Sequence, residues 1–315
     1  MTPLFLKDNE IADLVSVTDA IGVLRTAFQQ QARGAATSSP RHRLATGTAF
    51  LHVLAGAIPG YFGYKAYVTS RARSQFMFFL FDSNTCEQLS IMEADCLGQI
   101  RTGAATGIAT EFLARDDVEV ATIFGAGWQA QSHLLAMDAV RDLSRIWIVN
   151  RHPERAERFI ERMAPQVQAE LKPAVSAEDA VRESRLVTTI TNSREPVLFG
   201  DWVEAGTHVN AAGGNMWLRR EVDADLVLAS ERLVVDSIEQ ARIECGEFLP
   251  VLVTGRRHWD EVLELKDIVG SQCGRETSEE RTLFKSLGLG LEDVALGALV
   301  YERARERGVG RKVNF

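Results

Sequence analysis

Residues 118–131 read VEVATIFGAGWQAQ, and their order decides the fold. The apolar run Val120–Phe124 ends at Gly125-Ala126-Gly127 and passes directly into a helix-like segment, Trp128–Val140. A strand, a tight glycine turn and a helix start together present backbone N–H groups to a pyrophosphate. Gly125 permits the turn, Gly127 lets the backbone approach a ligand, and Ala130 takes the third small position, where helix packs on strand. A lone GxGxxA is weak evidence. Here a second apolar run, Ile146–Val149, leads to Asn150, twenty residues after Ala130. That is where a dinucleotide-binding unit places the group that reads the ribose 2′ position.

At that position stand Asn150-Arg151-His152. A carboxylate there would bond the free 2′-hydroxyl of NAD and repel a 2′-phosphate. Asn followed by Arg removes the repulsion and supplies a planar cation suited to phosphate. The reading therefore favours NADP(H) and keeps NAD(H) open. Arg151 also reads as the start of the solvated face of the next helix, Pro153–Ala164, because Arg155, Arg158 and Arg162 follow on it.

Working outward, 315 residues suffice for two domains with sizeable cores. The chain is 46% apolar and 25% charged, as expected of a globular protein. A net charge of −8 with no long basic block argues against a nucleic-acid surface. The N-terminus lacks the basic region and apolar core of a signal peptide. No apolar run approaches a membrane span. Cys86, Cys96, Cys245 and Cys273 show no CxxC spacing and read as free thiols of a cytoplasmic protein. The six histidines form no HExxH or HxxxH pair, so no metal site is expected.

Beyond Val149 the alternation continues. Apolar runs at 186–190, 207–211 and 233–235 alternate with helix-like segments near 177–183, 222–229 and 238–244. That rhythm predicts a doubly wound parallel sheet over residues 115–290. The first 114 residues differ. An amphipathic helix spans Ser16 to Gly34, then strands are expected at 49–54, 63–69 and 75–82, and a second helix at 98–113. The strand QFMFFLFD (75–82) is apolar at nearly every step, which predicts cover on both faces and, in so small a unit, a dimer. A C-terminal helix over 291–305 carries Leu291, Val294, Ala295, Ala298 and Leu299 at helical spacing and is expected to return to this N-terminal part. The fold class is thus α/β: a Rossmann sheet (115–290) plus a second α/β domain (1–114 with 291–315).

Three basic residues suggest chemistry. Lys65 sits within the aromatic run GYFGYKAYV, sharing a strand face with Gly63 and Tyr67. A lysine shielded from water has a lowered pKa and suits proton transfer to a nitrogen. Arg41 and Arg101 are natural bidentate partners for a carboxylate. An isolated Lys or Arg is ordinarily a solvated surface cation, and each of the three stays open to that reading. A further candidate is GTHVNAAGGNMWLRREVD (206–223), a strand ending in glycines beside Asn215. Such a strand end borders the ligand crevice of an open α/β sheet. A simple turn accounts for the same residues.

Together these segments resemble the ornithine cyclodeaminase/mu-crystallin family. The likeness runs through PRHR at 40–43, Lys65, IRTGAATGIAT at 100–110, IFGAGWQAQSH at 123–133, GTHVNAAGG at 206–214 and FKSLGLGLEDV at 284–294. The resemblance implies a homodimer whose substrate and dimerisation domain combines the N-terminal part with the C-terminal helix. It implies that Arg41 and Arg101 hold a substrate carboxylate, that Lys65 activates the substrate, and that Gly288 lies in a loop closing over it. It further implies cofactor contacts from Trp128, Gln129, Asn150, Thr191, Ala211, Ala212 and Gly213. Cyclodeaminases and the related alanine dehydrogenases of the family carry an aspartate where this chain has Asn215, and asparagine cannot exchange a proton at neutral pH. Lys65 and Asn215 are then the catalytic candidates. The expected activity is NAD(P)H-dependent reduction of a small α-imino acid, or oxidation of the α-amino acid. The alternatives are a cyclodeaminase-type ammonia lyase and a non-catalytic crystallin-like binder. Tyr61, Tyr64, Tyr67, Arg71 and Arg73 are further candidates for the substrate pocket, with Arg71 or Arg73 facing a second carboxylate.

Overall fold

A computed structural model describes residues 2–314. The chain divides into two compact units, 1–101 with 288–315, and 102–287. The expected divisions, after residues 114 and 290, both fall further along the chain than these. The helix Asp95–Leu113 starts in the first unit and ends in the second.

In the first unit, one mainly antiparallel sheet runs in the order Arg311–Lys312, Leu4–Leu6, Gln88–Glu93, Ser74–Asp82, Tyr61–Ser70, Ala49–Ile58 and Thr37–Ser38, with His42–Ala45 also paired to Ala49–Ile58. The hairpin Ala49–Ile58/Tyr61–Ser70 is longer than expected and sets Leu54 opposite Lys65 and His52 opposite Tyr67. Cross-strand partners share a face, so Lys65, Tyr67, His52 and Arg43 line one side of the sheet.

That side is covered by the helices Val17–Ala32 and Gly290–Arg307. Ser16 caps the first through Asp19, whose carboxylate also takes a bidentate pair from Arg303 of the second. The C-terminal helix thus packs within this unit, as its apolar stripe implies. The strand Ser74–Asp82 is the one expected to need a second copy of the chain to cover both its faces. Phe78 and Leu80 are fully buried, whereas Met77, Phe79 and Phe81 stay partly exposed. Within one chain only one of its faces is covered.

The second unit holds an all-parallel sheet in the order Glu170–Pro173, Arg145–Val149, Val120–Phe124, Leu186–Thr189, His208–Ala211, Thr282–Lys285, Arg232–Val235 and Val262–Glu264. Apolar cores lie against it, one around Val187, Val209, Leu233 and Leu283, another around Ile123, Leu134, Ile146 and Phe159. The strand Val120–Phe124 and the helix Trp128–Val140 fall where the sequence places them. The helix Pro153–Met163 ends one residue early. Thr282–Lys285, a central strand, was not expected. No helix among the described residues is long and apolar enough to cross a membrane.

Candidate active site

In the first unit, Lys65, Arg41 and Arg101 are all buried, so none is a solvated surface cation. Lys65 Nζ donates to Asp293 Oδ1 at 2.7 Å, and Arg101 Nε donates to the same oxygen at 3.1 Å. Arg101 Nη1 also reaches Glu292 Oε2 at 2.7 Å. Arg41 Nη2 donates to the Gly288 carbonyl at 3.3 Å. Gly288, at φ +80°, holds a backbone conformation that strains any side chain, and a Cβ there would also lie 2.2 Å from Arg101 Nη1 and displace it. It is the close-packed backing of both arginines.

Burial, joined by the Arg101 and Arg41 charges, pushes the Lys65 pKa down to about 8 against the pull of Asp293. Burial also opposes the Arg101 charge, but Asp293 and Glu292 outweigh it and hold that guanidinium above its usual range. Glu292 and Asp293 are the residues sequence reasoning missed. Acids in the first turn of a helix read as ordinary dipole partners, and only the fold carries Asp293 to a lysine 228 positions away.

Of the tyrosines weighed for this site, Tyr61 and Tyr67 share the Lys65 face, and Tyr67 is the nearer, with its ring centroid 6.0 Å from Nζ. It stacks on His52 at 4.3 Å, whose Nδ1 accepts from Arg43 Nε at 3.1 Å. Burial, then the charges of Arg43 and Arg41, lower the His52 pKa to about 4, so its ring is neutral at pH 7. Tyr61 instead bonds Glu302, Tyr64 stacks on Phe79 on the opposite face, and Arg71 and Arg73 are exposed in a turn. They are not brought to the cluster.

The second unit carries the nucleotide-like loops. Gly125 adopts φ +119°, with its Cα against the Ile190 carbonyl. Gly127 is the N-cap of the helix Trp128–Val140 and makes no side-chain cap, and a Cβ there would meet nothing within 4 Å. The first-turn N–H groups of such a helix point along its axis, the arrangement that suits a pyrophosphate. Ala130 is fully buried against the sheet, Gln129 is partly buried, and Trp128 is half exposed at the helix start. Arg151 is exposed beyond the strand Arg145–Val149. Asn150 uses Oδ1 to accept from His152 N at 3.0 Å, which fixes the turn.

At the ends of the next strands, Thr191 N and Gly213 N both donate to Glu221, and Ala212 N donates to the Thr189 carbonyl. Ala211 closes its strand, fully buried. Asn215 follows in the partly buried segment. Asn210, whose neighbours the resemblance marks as cofactor contacts, is committed internally, donating to Thr110 and Thr188. All four cysteines are free thiols, and no metal-ligating cluster occurs among the described residues.

Comparison with known proteins shows the family of the chain. The family model described as "Ornithine cyclodeaminase/mu-crystallin family" matches residues 1–308. An alanine dehydrogenase of Archaeoglobus fulgidus is 33% identical over 326 residues, covering 100% of this chain and 99% of that protein. The structure of Thermococcus litoralis Δ1-pyrroline-2-carboxylate reductase, in complex with NADH and L-proline, superposes with a TM-score of 0.94 at 32% identity, covering 98% of this chain and 100% of its own. An archaeal alanine dehydrogenase dimer with bound NAD gives 0.94 at 30% identity, with 100% of both chains covered.

Proposed function

Because the chain belongs to the ornithine cyclodeaminase/mu-crystallin family, we propose that it is a nicotinamide-dependent reductase of small α-imino acids, an oxidoreductase working at a C=N or CH–NH centre. The observation that carries this reading is Lys65: buried, bonded to Asp293, and flanked by cationic Arg101. An alanine dehydrogenase and a pyrroline-2-carboxylate reductase both work at a carbon–nitrogen centre of an α-amino acid, and both are similar to the whole of this chain.

Each residue has a part. The planar guanidinium forks of Arg41 and Arg101 suit the substrate carboxylate, with Gly288 backing them. The Lys65 ammonium donates a hydrogen bond, and then a proton, to the imine nitrogen; Asp293 orients it and keeps it charged. Bound in its reduced form, the nicotinamide supplies the hydride. Gly125, Gly127, Trp128, Gln129 and Ala130 would hold the pyrophosphate, Asn150 and Arg151 the adenosine ribose, and Thr191, Ala211, Ala212 and Gly213 the nicotinamide end. Asn215 offers a neutral hydrogen bond to the amine or imine.

NADPH is the preferred form, because no carboxylate occupies 150–152 and Arg151 is an exposed cation there. The NADH and NAD of the two similar structures mark the other outcome. A homodimer would cover the partly exposed aromatic face of the first unit, where Phe62 and Tyr64 stack on Phe81 and Phe79. Four free thiols suit a reducing, cytoplasmic setting.

A screen of cyclic and acyclic imino acids against NADH and NADPH tests the reading. Oxidation of either cofactor with an imino acid is the expected result. Ammonia release from ornithine without net cofactor change would make the protein a lyase instead.

A further inference from the structure

We propose that Glu221 is a positioning residue for the nicotinamide end of the cofactor, its carboxylate clamping together the two strand-end loops that carry Thr191 and Gly213. The inference rests on the cofactor roles proposed above for those two residues. Glu221 belongs to NMWLRREVD, a stretch whose composition reads as a polar loop, yet it is fully buried. Oε1 accepts from Thr191 N at 2.5 Å. Oε2 accepts from Gly213 N at 2.6 Å and from Thr189 Oγ1 at 3.0 Å. Thr191 and Gly213 follow the adjacent parallel strands Leu186–Thr189 and His208–Ala211. In an open α/β sheet ligands bind at the carboxyl ends of strands, so a single side chain sets the spacing of two such ends.

The clamp is itself held firmly. The Glu221 carbonyl accepts from Val197 N at 2.8 Å and Leu198 N at 3.0 Å, and its own N–H donates to Glu247 Oε1 at 3.3 Å. Glu247 is paired in turn with Lys285 at 3.0 Å. There is no slack on the other side: a Cβ on Gly213 would lie 2.3 Å from the Thr191 carbonyl and 2.6 Å from both Glu221 oxygens.

Burial raises the Glu221 pKa, with Lys285 and the Thr191 bonds acting against it. An apolar side chain would fill the same volume without desolvating a charge. What an apolar residue cannot do is accept three donors from two loops. A carboxylate is acceptor-only, whereas an amide of the same shape turns an NH₂ toward one donor and opens one side of the clamp.

The test is NADH titration by fluorescence, with steady-state kinetics and thermal melting, on wild type, Glu221→Gln and Thr189→Val. Loss of a charge-assisted bond should weaken NADH binding roughly 10–100-fold in Glu221→Gln. The KM of the imino acid should stay within about two-fold, and the melting temperature should fall only modestly, by the cost of one buried donor left without an acceptor, because Glu247 and Lys285 stay paired. Thr189→Val removes a single donor and should weaken NADH by only a few-fold. Undiminished NADH binding in both variants, or an imino-acid KM that rises in parallel, would overturn the clamp. Should Glu221→Gln prove insoluble, Thr189→Val decides, and unchanged binding there also overturns it. A wild type that binds neither NADH nor NADPH would remove the cofactor reading itself, a result distinct from failure of the clamp.

Discussion

Two lysines of this chain are alike in everything except their neighbourhoods. Lys65 in the first unit and Lys285 in the second both lie on strands, both are buried, and each bonds a buried carboxylate, at 2.7 and 3.0 Å. Burial opposes the charge of both. Around Lys65 the next charges are Arg101 and Arg41, and its pKa falls to about 8. Around Lys285 the charge beyond Glu247 is that of Glu221, and the Lys285 pKa is raised. Contact with a carboxylate therefore does not fix what a buried lysine does. The sign of the charges beyond that contact decides whether it is ready to give up a proton or serves as a permanent counter-ion.

The largest expected effect comes from removing each lysine in turn. Lys65→Met should lower kcat by ~10²–10⁴-fold, the range for lost acid–base catalysis. Cofactor affinity and thermal stability should barely change, since Asp293 keeps its bond from Arg101. Lys285→Met should do the reverse and destabilise the fold by about 3–5 kcal/mol, because it strands a buried Glu247. Matching losses of stability in the two variants would erase the distinction.

A sharper version asks whether Asp293 tunes Lys65. If the ammonium is the proton donor, reductive kcat should fall as pH rises through about 8, where that group deprotonates. Asp293 favours the charged form, so Asp293→Asn should move this alkaline limb to lower pH. Glu247→Gln should leave the limb in place. A pH–rate profile that ignores Asp293→Asn would show that Lys65 does not report the limb.

What could be read before the fold was known follows the same division between local and distant causes. The unit from Val120 to Val140 was legible to the residue, because turn chemistry and the change of period lie within a few positions. The C-terminal helix was legible from its stripe. The strand Thr282–Lys285 was not: four residues ending in lysine make no apolar run, and the carboxylate that allows Lys285 to be buried is 38 positions away. QFMFFLFD announced two apolar faces but not what covers each: Phe78 and Leu80 pack inward, while Phe79 and Phe81 remain partly exposed in one chain, on the face a second copy was expected to cover. Glu221 was illegible for a third reason. Its polar neighbours conceal it, and its role appears only when two strand ends meet on one carboxylate.

Arg151 extends the comparison to a cation left in solvent. It sits beyond the strand Arg145–Val149 with no acidic residue at 150–152, so a 2′-phosphate can pair with it. Arg151→Ala should erase most of a preference for NADPH over NADH, on the order of 1–3 kcal/mol for a charge-assisted hydrogen bond. Equal affinities in the wild type would refute the preference and assign Arg151 to the solvated helix face.

The smallest effect belongs to a site where charge is missing altogether. Asn215 can donate and accept hydrogen bonds but cannot carry a proton between substrate and water at neutral pH. Asn215→Ala therefore removes one neutral hydrogen bond, roughly 0.5–1.5 kcal/mol, and should lower kcat/KM only a few-fold to about ten-fold. Asn215→Asp changes the chemistry rather than the fit. A carboxylate there can take a proton from an amine and manage an attacking water, the steps a cyclodeaminating lyase needs and a reductase does not. The variant should lose imine reduction at neutral pH and gain some release of ammonia from an α,ω-diamino acid. Lys65 has to remain essential in both variants, because its proton-donating role derives from its own surroundings of Arg101, Arg41 and Asp293. Wild-type conversion of ornithine to proline with ammonia release, and no net change in cofactor, would show that an asparagine suffices for deamination; the lyase reading would then displace the reductase.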